Sequence, residues 1–168
     1  MADFDVAFNW LMDSEDPERR WEVNPDAPPG SYAISGINSH AYPTAFDRIA
    51  ALPRTLREPE VRKFYLGYFW NPEWFNQLIS DEVAKRVFDA AVNMGSRVAV
   101  ILLQRCLPLS VDRDGIWGPD TLSAANSMAE TALIEAFIKV RRTYYMDIVS
   151  SKPEDAKYLK GWLERCGR

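Results

Sequence analysis

The chain has 168 residues, of which 47% are apolar and 12% aromatic, enough to build a substantial core. Its formal charge of −4 comes without a lysine and arginine stripe, so phosphate-driven nucleic-acid binding has no source. The most apolar run, residues 98–109, is interrupted by Arg105 and Pro108 and is far too short to span a bilayer; no membrane insertion is expected.

Phe4, Ala7, Phe8, Leu11 and Met12 recur at helical spacing and predict an amphipathic helix over 4–14, with Glu15 at or just past its end. Prolines at 17, 25, 28 and 29 forbid its continuation. The segment "SYAISGIN" then predicts a short strand and a turn at Gly36, so a small β-hairpin is expected near residues 30–38. "YPTAFDRIAAL" and "EPEVRKFYLGYFW" read as helices, the second starting after Pro59 and stopping before Pro72, where Trp70 and Trp74 crowd the connection. Ser80 is a cap candidate for a helical stretch over 80–107, with acidic residues in its first turn and a break at Gly95. After Pro108 a glycine-punctuated turn leads to Pro119 at a first helical position, before helical residues 121–128. Helices over about 129–150 and 154–165 complete a mainly α chain.

Cys106 and Cys166 read as free thiols, and the lone His40, without ligand neighbours, reads as a surface residue; no metal and no organic cofactor are expected. The first ten residues carry acidic side chains where a secretory signal would carry positive charge, so synthesis in the cytoplasm without a signal peptide is the expectation.

Glycosidic chemistry needs a carboxylic acid that donates to the leaving oxygen and a second polar group that handles water or the developing cation. The predicted helix end delivers Glu15, and the loop brings Asp26 and the hydroxyl of Ser31. A glutamate held against apolar side chains titrates higher, towards about 6, the range that suits a general acid. Read by themselves, Glu15 and Asp26 are ordinary solvated loop acids.

The order of Glu15, then "DAPPGS" (26–31), then Gly36, Ile37 and Asn38 resembles the N-terminal signature of the glycoside hydrolase family 108 muramidases, a lysozyme-like group. Asp16 and Pro17 stand where that family has two glycines, and serine replaces its threonine, which leaves the hydroxyl open between Ser31 and Ser35. "YLGYFW", "VFDAAVNMG", Leu103-Gln104, "DGIWGPDTL" and "KGWLER" follow in the family's order across nearly the whole chain.

The resemblance implies a lysozyme-like α+β globule, one domain over 1–168 in which 1–80 holds the catalytic glutamate and 81–168 is a helical peptidoglycan-binding-like region. It implies hydrolysis of the β-1,4 bond between N-acetylmuramic acid and N-acetylglucosamine, with Glu15, Asp26 and Ser31 catalytic. Peptidoglycan strands are the expected partner of a monomer that reaches the wall after holin-mediated release, as a phage endolysin does, or by other export. Tyr65, Trp70, Asp89, Asn93 and Gln104 are the expected substrate contacts, with Tyr68 and Trp74 as further flat faces for sugar rings; core packing for the aromatics and loop-holding for Asp89 and Asn93 are their alternatives. Two other functions fit the same residues: a peptidoglycan-binding or virion-structural protein that has lost catalysis, and a chitosanase-like glycosidase.

Overall fold

The computed structural model describes residues 1–72 and 75–167, so Trp74 lies outside the described residues. The chain divides into two compact units, one over 3–74 and one comprising 1–2 with 75–168. Among the described residues no helix is long and apolar enough to cross a membrane.

The first unit opens with α1, Phe4–Glu15, capped by the Asp3 carboxylate, which accepts from the Asp5 N–H at 2.7 Å. Ala7, Phe8, Leu11 and Met12 form its buried stripe, as their spacing predicts. The helix runs one residue further than expected, which makes Glu15 its last residue. Strands β1 (Asn24–Asp26), β2 (Ser31–Ile34) and β3 (Ile37–Asn38) form an antiparallel sheet in that order. The expected hairpin is β2–β3. Ile34 pairs with Ile37 across a two-residue turn, Ser35 and Gly36, whose φ values of 48° and 83° match the right-handed twist of the strands. β1 was hidden in the sequence because Pro25 reads as a breaker; it is tolerated here on a fully exposed edge strand.

Helix α2, Pro43–Ala50, starts with its proline at the first position. Helix α3, Arg57–Tyr65, begins two residues before Pro59 rather than after it. A proline in the first turn gives up an N–H that has no intrahelical acceptor there, so it does not delimit the helix. The chain then widens into a π-helical turn, Leu66–Trp70, closed by the Asn71 N–H on the Leu66 carbonyl at 2.9 Å.

In the second unit α4 (Asp81–Met94) and α5 (Ser96–Gln104) are separated by Gly95 at φ 87°, and Ser80 caps α4 by accepting from the Val83 N–H at 3.1 Å. Helices α6 (Pro119–Ser127), α7 (Glu130–Ser151) and α8 (Ala156–Cys166) follow. α4 has more buried residues than any other helix of this unit, from Val83 to Ala91. Asp89, fully buried on it, meets Arg141 of α7 at 2.6 Å and accepts from Nε of Arg165 on α8 at 2.8 Å. Cys106 and Cys166 are free thiols, and burial pushes the Cys106 thiol up to about 12.

Candidate active site

Glu15 owes its position to the end of α1. At Asp16 the backbone leaves helical geometry (φ −156°, ψ 71°), while the Asp16 N–H still bonds the Met12 carbonyl at 2.9 Å. The half-buried Glu15 side chain lies against the β2–β3 turn. A Cβ added to Gly36 would stand 2.6 Å from Glu15 Oε2 and 2.7 Å from the Tyr65 hydroxyl oxygen, so carboxyl, phenol and turn converge where only glycine fits. Tyr65 donates its hydroxyl proton to the Ser35 carbonyl at 2.7 Å and fixes the turn from the α3 side.

On its other side Glu15 lines an open groove of about 220 Å³ with Asp16, Pro17, Glu18, Arg20, Glu22 and Asn24. Glu18 forms an ion pair with Arg20, and Glu22 one with Arg54 at 2.6 Å, so both are committed to surface pairs. Asn24 brings β1 to the groove. Asp26 does not line it but follows Asn24 by two residues, which on a strand is the same face.

Asp26 is exposed and held in place: its Oδ2 accepts from the Asn38 amide at 2.7 Å and its Oδ1 from the Ala27 N–H at 2.8 Å. Asn38 is fixed in turn, its Oδ1 accepting from the N–H groups of His40 and Ala41. Ser31 is buried, donates to the Pro28 carbonyl at 2.8 Å and lies 3.4 Å from the Asn38 amide. Ser35 donates to Asp16 Oδ2 at 2.7 Å and so belongs to the Glu15 side. The two serines between which the sequence left the hydroxyl open therefore serve different carboxylates.

The expected substrate contacts need correction. Tyr65 and Trp70 are 1% and 2% exposed, so neither ring offers a face to a sugar. Trp70 packs edge-on against Phe4 at 5.6 Å, and Tyr65 against Phe8 at 6.0 Å, because large aromatic surfaces do most for a small unit when buried. Asp89 is enclosed with its two arginines, and the Asn93 amide donates back to the Asp89 carbonyl at 2.8 Å, which makes both part of the helix framework. Gln104 is buried too. Its amide donates to Asp114 Oδ1, the Ile116 carbonyl and Thr121 Oγ1, and its carbonyl accepts from the Gly115 N–H, so it holds the glycine-rich turn from inside. Hydrogen bonds from the Ile116 N–H, at 2.8 Å, and from the Gln104 amide keep the exposed Asp114 carboxyl below the usual range. Tyr68, by contrast, is more than half exposed and stacks on Phe64 at 5.3 Å beside an open groove with Tyr42 and Arg48.

Asp16, Gly36 and the Tyr65 hydroxyl were missed as parts of the site. The signal that pointed to the first two was the placement of Asp16 directly after the candidate acid and of a glycine in the turn between β2 and β3. Gly36→Ala is expected to cost about 1–2 kcal/mol for its left-handed backbone alone. Because the new methyl group also displaces Glu15, turnover should fall further than the melting temperature explains, a comparison made by measuring both on one preparation.

A mainly α chain with a small antiparallel sheet defines a lysozyme-like fold. Residues 10–95 match the family described as Glycosyl hydrolase 108, and residues 98–167 match one described as Predicted Peptidoglycan domain. The chain belongs to the glycosyl hydrolase 108 family and is a glycoside hydrolase. Its fold is shared with the solved structure of Brucella abortus SagA, at a TM-score of 0.74 and 23% identity, over 98% of this chain and 90% of that one. No curated protein matches the chain.

Proposed function

We propose that this chain is a peptidoglycan hydrolase, an N-acetylmuramidase that cleaves the β-1,4 bond between N-acetylmuramic acid and N-acetylglucosamine in cell lysis or wall penetration. The observation that carries the proposal is the seating of Glu15 at the end of α1, beside a glycine-only gap and open to a groove. The match of residues 98–167 to a predicted peptidoglycan domain supports the polymer. Glu15 donates its proton to the glycosidic oxygen as the bond to the anomeric carbon breaks. Asp26, oriented by Asn38, activates water or stabilises the oxocarbenium-like centre, and Ser31 assists by holding the Pro28 carbonyl and its own strand in register.

Clearing of a suspension of purified sacculi tests this proposal. Hydrolysis lowers the turbidity and releases soluble glycan. A protein that sediments with sacculi and leaves them uncut would instead be a binder, and release of soluble fragments from chitosan but not from sacculi would move the substrate to another amino-sugar polymer.

A further inference from the structure

The Asp16 carboxylate accepts three hydrogen bonds, two from the loop that follows α1 and one from the β2–β3 turn. Its Oδ1 accepts from the Arg20 N–H at 2.9 Å, and its Oδ2 accepts from the Trp21 N–H at 2.8 Å and from the Ser35 hydroxyl at 2.7 Å. One side chain thereby ties the end of α1 to the loop behind it and to the β2–β3 turn. The segments it ties are the ones with unfavourable backbone: Arg19, Trp21 and Ser35 are the non-glycine residues at positive φ among those described, at 51°, 53° and 48°. Such conformations persist where the surroundings over-determine them. Trp21 is fixed further by Arg57, whose guanidinium donates to the Trp21 carbonyl at 2.9 Å.

Ser35 is held twice, by its hydroxyl on Asp16 and by its carbonyl under the Tyr65 hydroxyl. The next residue is Gly36, against which the Glu15 carboxyl rests. Asp16 therefore sets, through Ser35, the wall that limits where the neighbouring glutamate can point. A neutral amide cannot replace it. Asparagine offers one acceptor oxygen, and whichever way it is turned its NH₂ faces a backbone N–H of Arg20 or Trp21.

We propose that Asp16 and Ser35 are positioning residues for the glycosidic reaction, acting on Glu15 through the β2–β3 turn. This rests on the reading of Glu15 as the proton donor. The loss expected on breaking the link is kinetic, because a small misplacement of a catalytic group lowers the rate without weakening the contacts that bind substrate.

The test uses the full chain with Asp16→Asn, Ser35→Ala and Glu15→Gln, singly and with each of the first two combined with the third. Turnover and KM are measured on solubilised glycan strands, beside melting temperatures. Asp16→Asn and Ser35→Ala should each lower kcat about 10- to 100-fold with KM nearly unchanged. Neither should lower activity further in the Glu15→Gln background, since residues acting as one unit are non-additive. If Asp16→Asn fails to fold, Ser35→Ala decides alone, because it leaves both Asp16 bonds to the loop in place. A raised KM with intact kcat, a loss matching the unfolded fraction, or the same fold-loss with and without Glu15 would overturn the proposal. Full activity in Glu15→Gln alone would remove the reading of Glu15 as well, and that single variant shows which of the two has failed.

Discussion

Glu15→Gln should reduce hydrolysis of murein by about 10²- to 10⁴-fold, the usual contribution of a general acid, or about 3–5 kcal/mol of transition-state stabilisation. Glutamine has the same shape and rests against Gly36 as glutamate does, but it has no proton to give to the leaving oxygen. Glycosidic leaving groups are poor, so the upper part of that range is expected. Stability should hardly change, because the residue is the last of α1 and half open to a groove. Asp26→Asn should also be damaging, and less so if its carboxylate orients water. Full activity in Glu15→Gln would transfer the search to Glu18 and Glu22, the other glutamates of that groove, although both are engaged with arginines.

The largest effect on stability is expected in the second unit. Asp89→Ala removes the single carboxylate that two arginines share inside the fold, leaving Arg141, 2% exposed, without its anion. Breaking a buried ion pair from one side costs about 3–5 kcal/mol, since the remaining charge has already lost its water. At about 4–8 °C per kcal/mol for a unit of this size, the melting temperature should fall by more than about 10 °C in calorimetry. A shift within about 2 °C would mean that water or another group compensates the arginines.

Where a local signal suffices, it held: the stripe of α1, the Ser80 cap, the break at Gly95, Pro119 opening α6 and the Ser35–Gly36 turn. Two prolines misled, because what a proline breaks depends on its position. Pro25 lies on an edge strand and Pro59 in a first turn, the two settings that tolerate a missing N–H.

Side-chain roles were harder to read because residue type does not reveal what packs against it. Asp89 and Gln104 looked like cleft residues until their partners, distant in sequence, closed around them. Tyr65 was chosen for its ring and matters for its hydroxyl. Asp16 looked like a departure from a glycine pattern and is a three-way hydrogen-bond acceptor.

The most direct measurement is the identity of the reducing ends that the protein creates. Purified murein is digested with the wild-type chain and with Glu15→Gln, reduced with borohydride, hydrolysed, and its amino-sugar alcohols are identified by mass spectrometry. The account predicts that the wild-type digest contains muramitol, from newly exposed N-acetylmuramic acid ends, and that the Glu15→Gln digest stays at background. Glucosaminitol in place of muramitol, no new ends from the wild type, or equal muramitol from both proteins would contradict it.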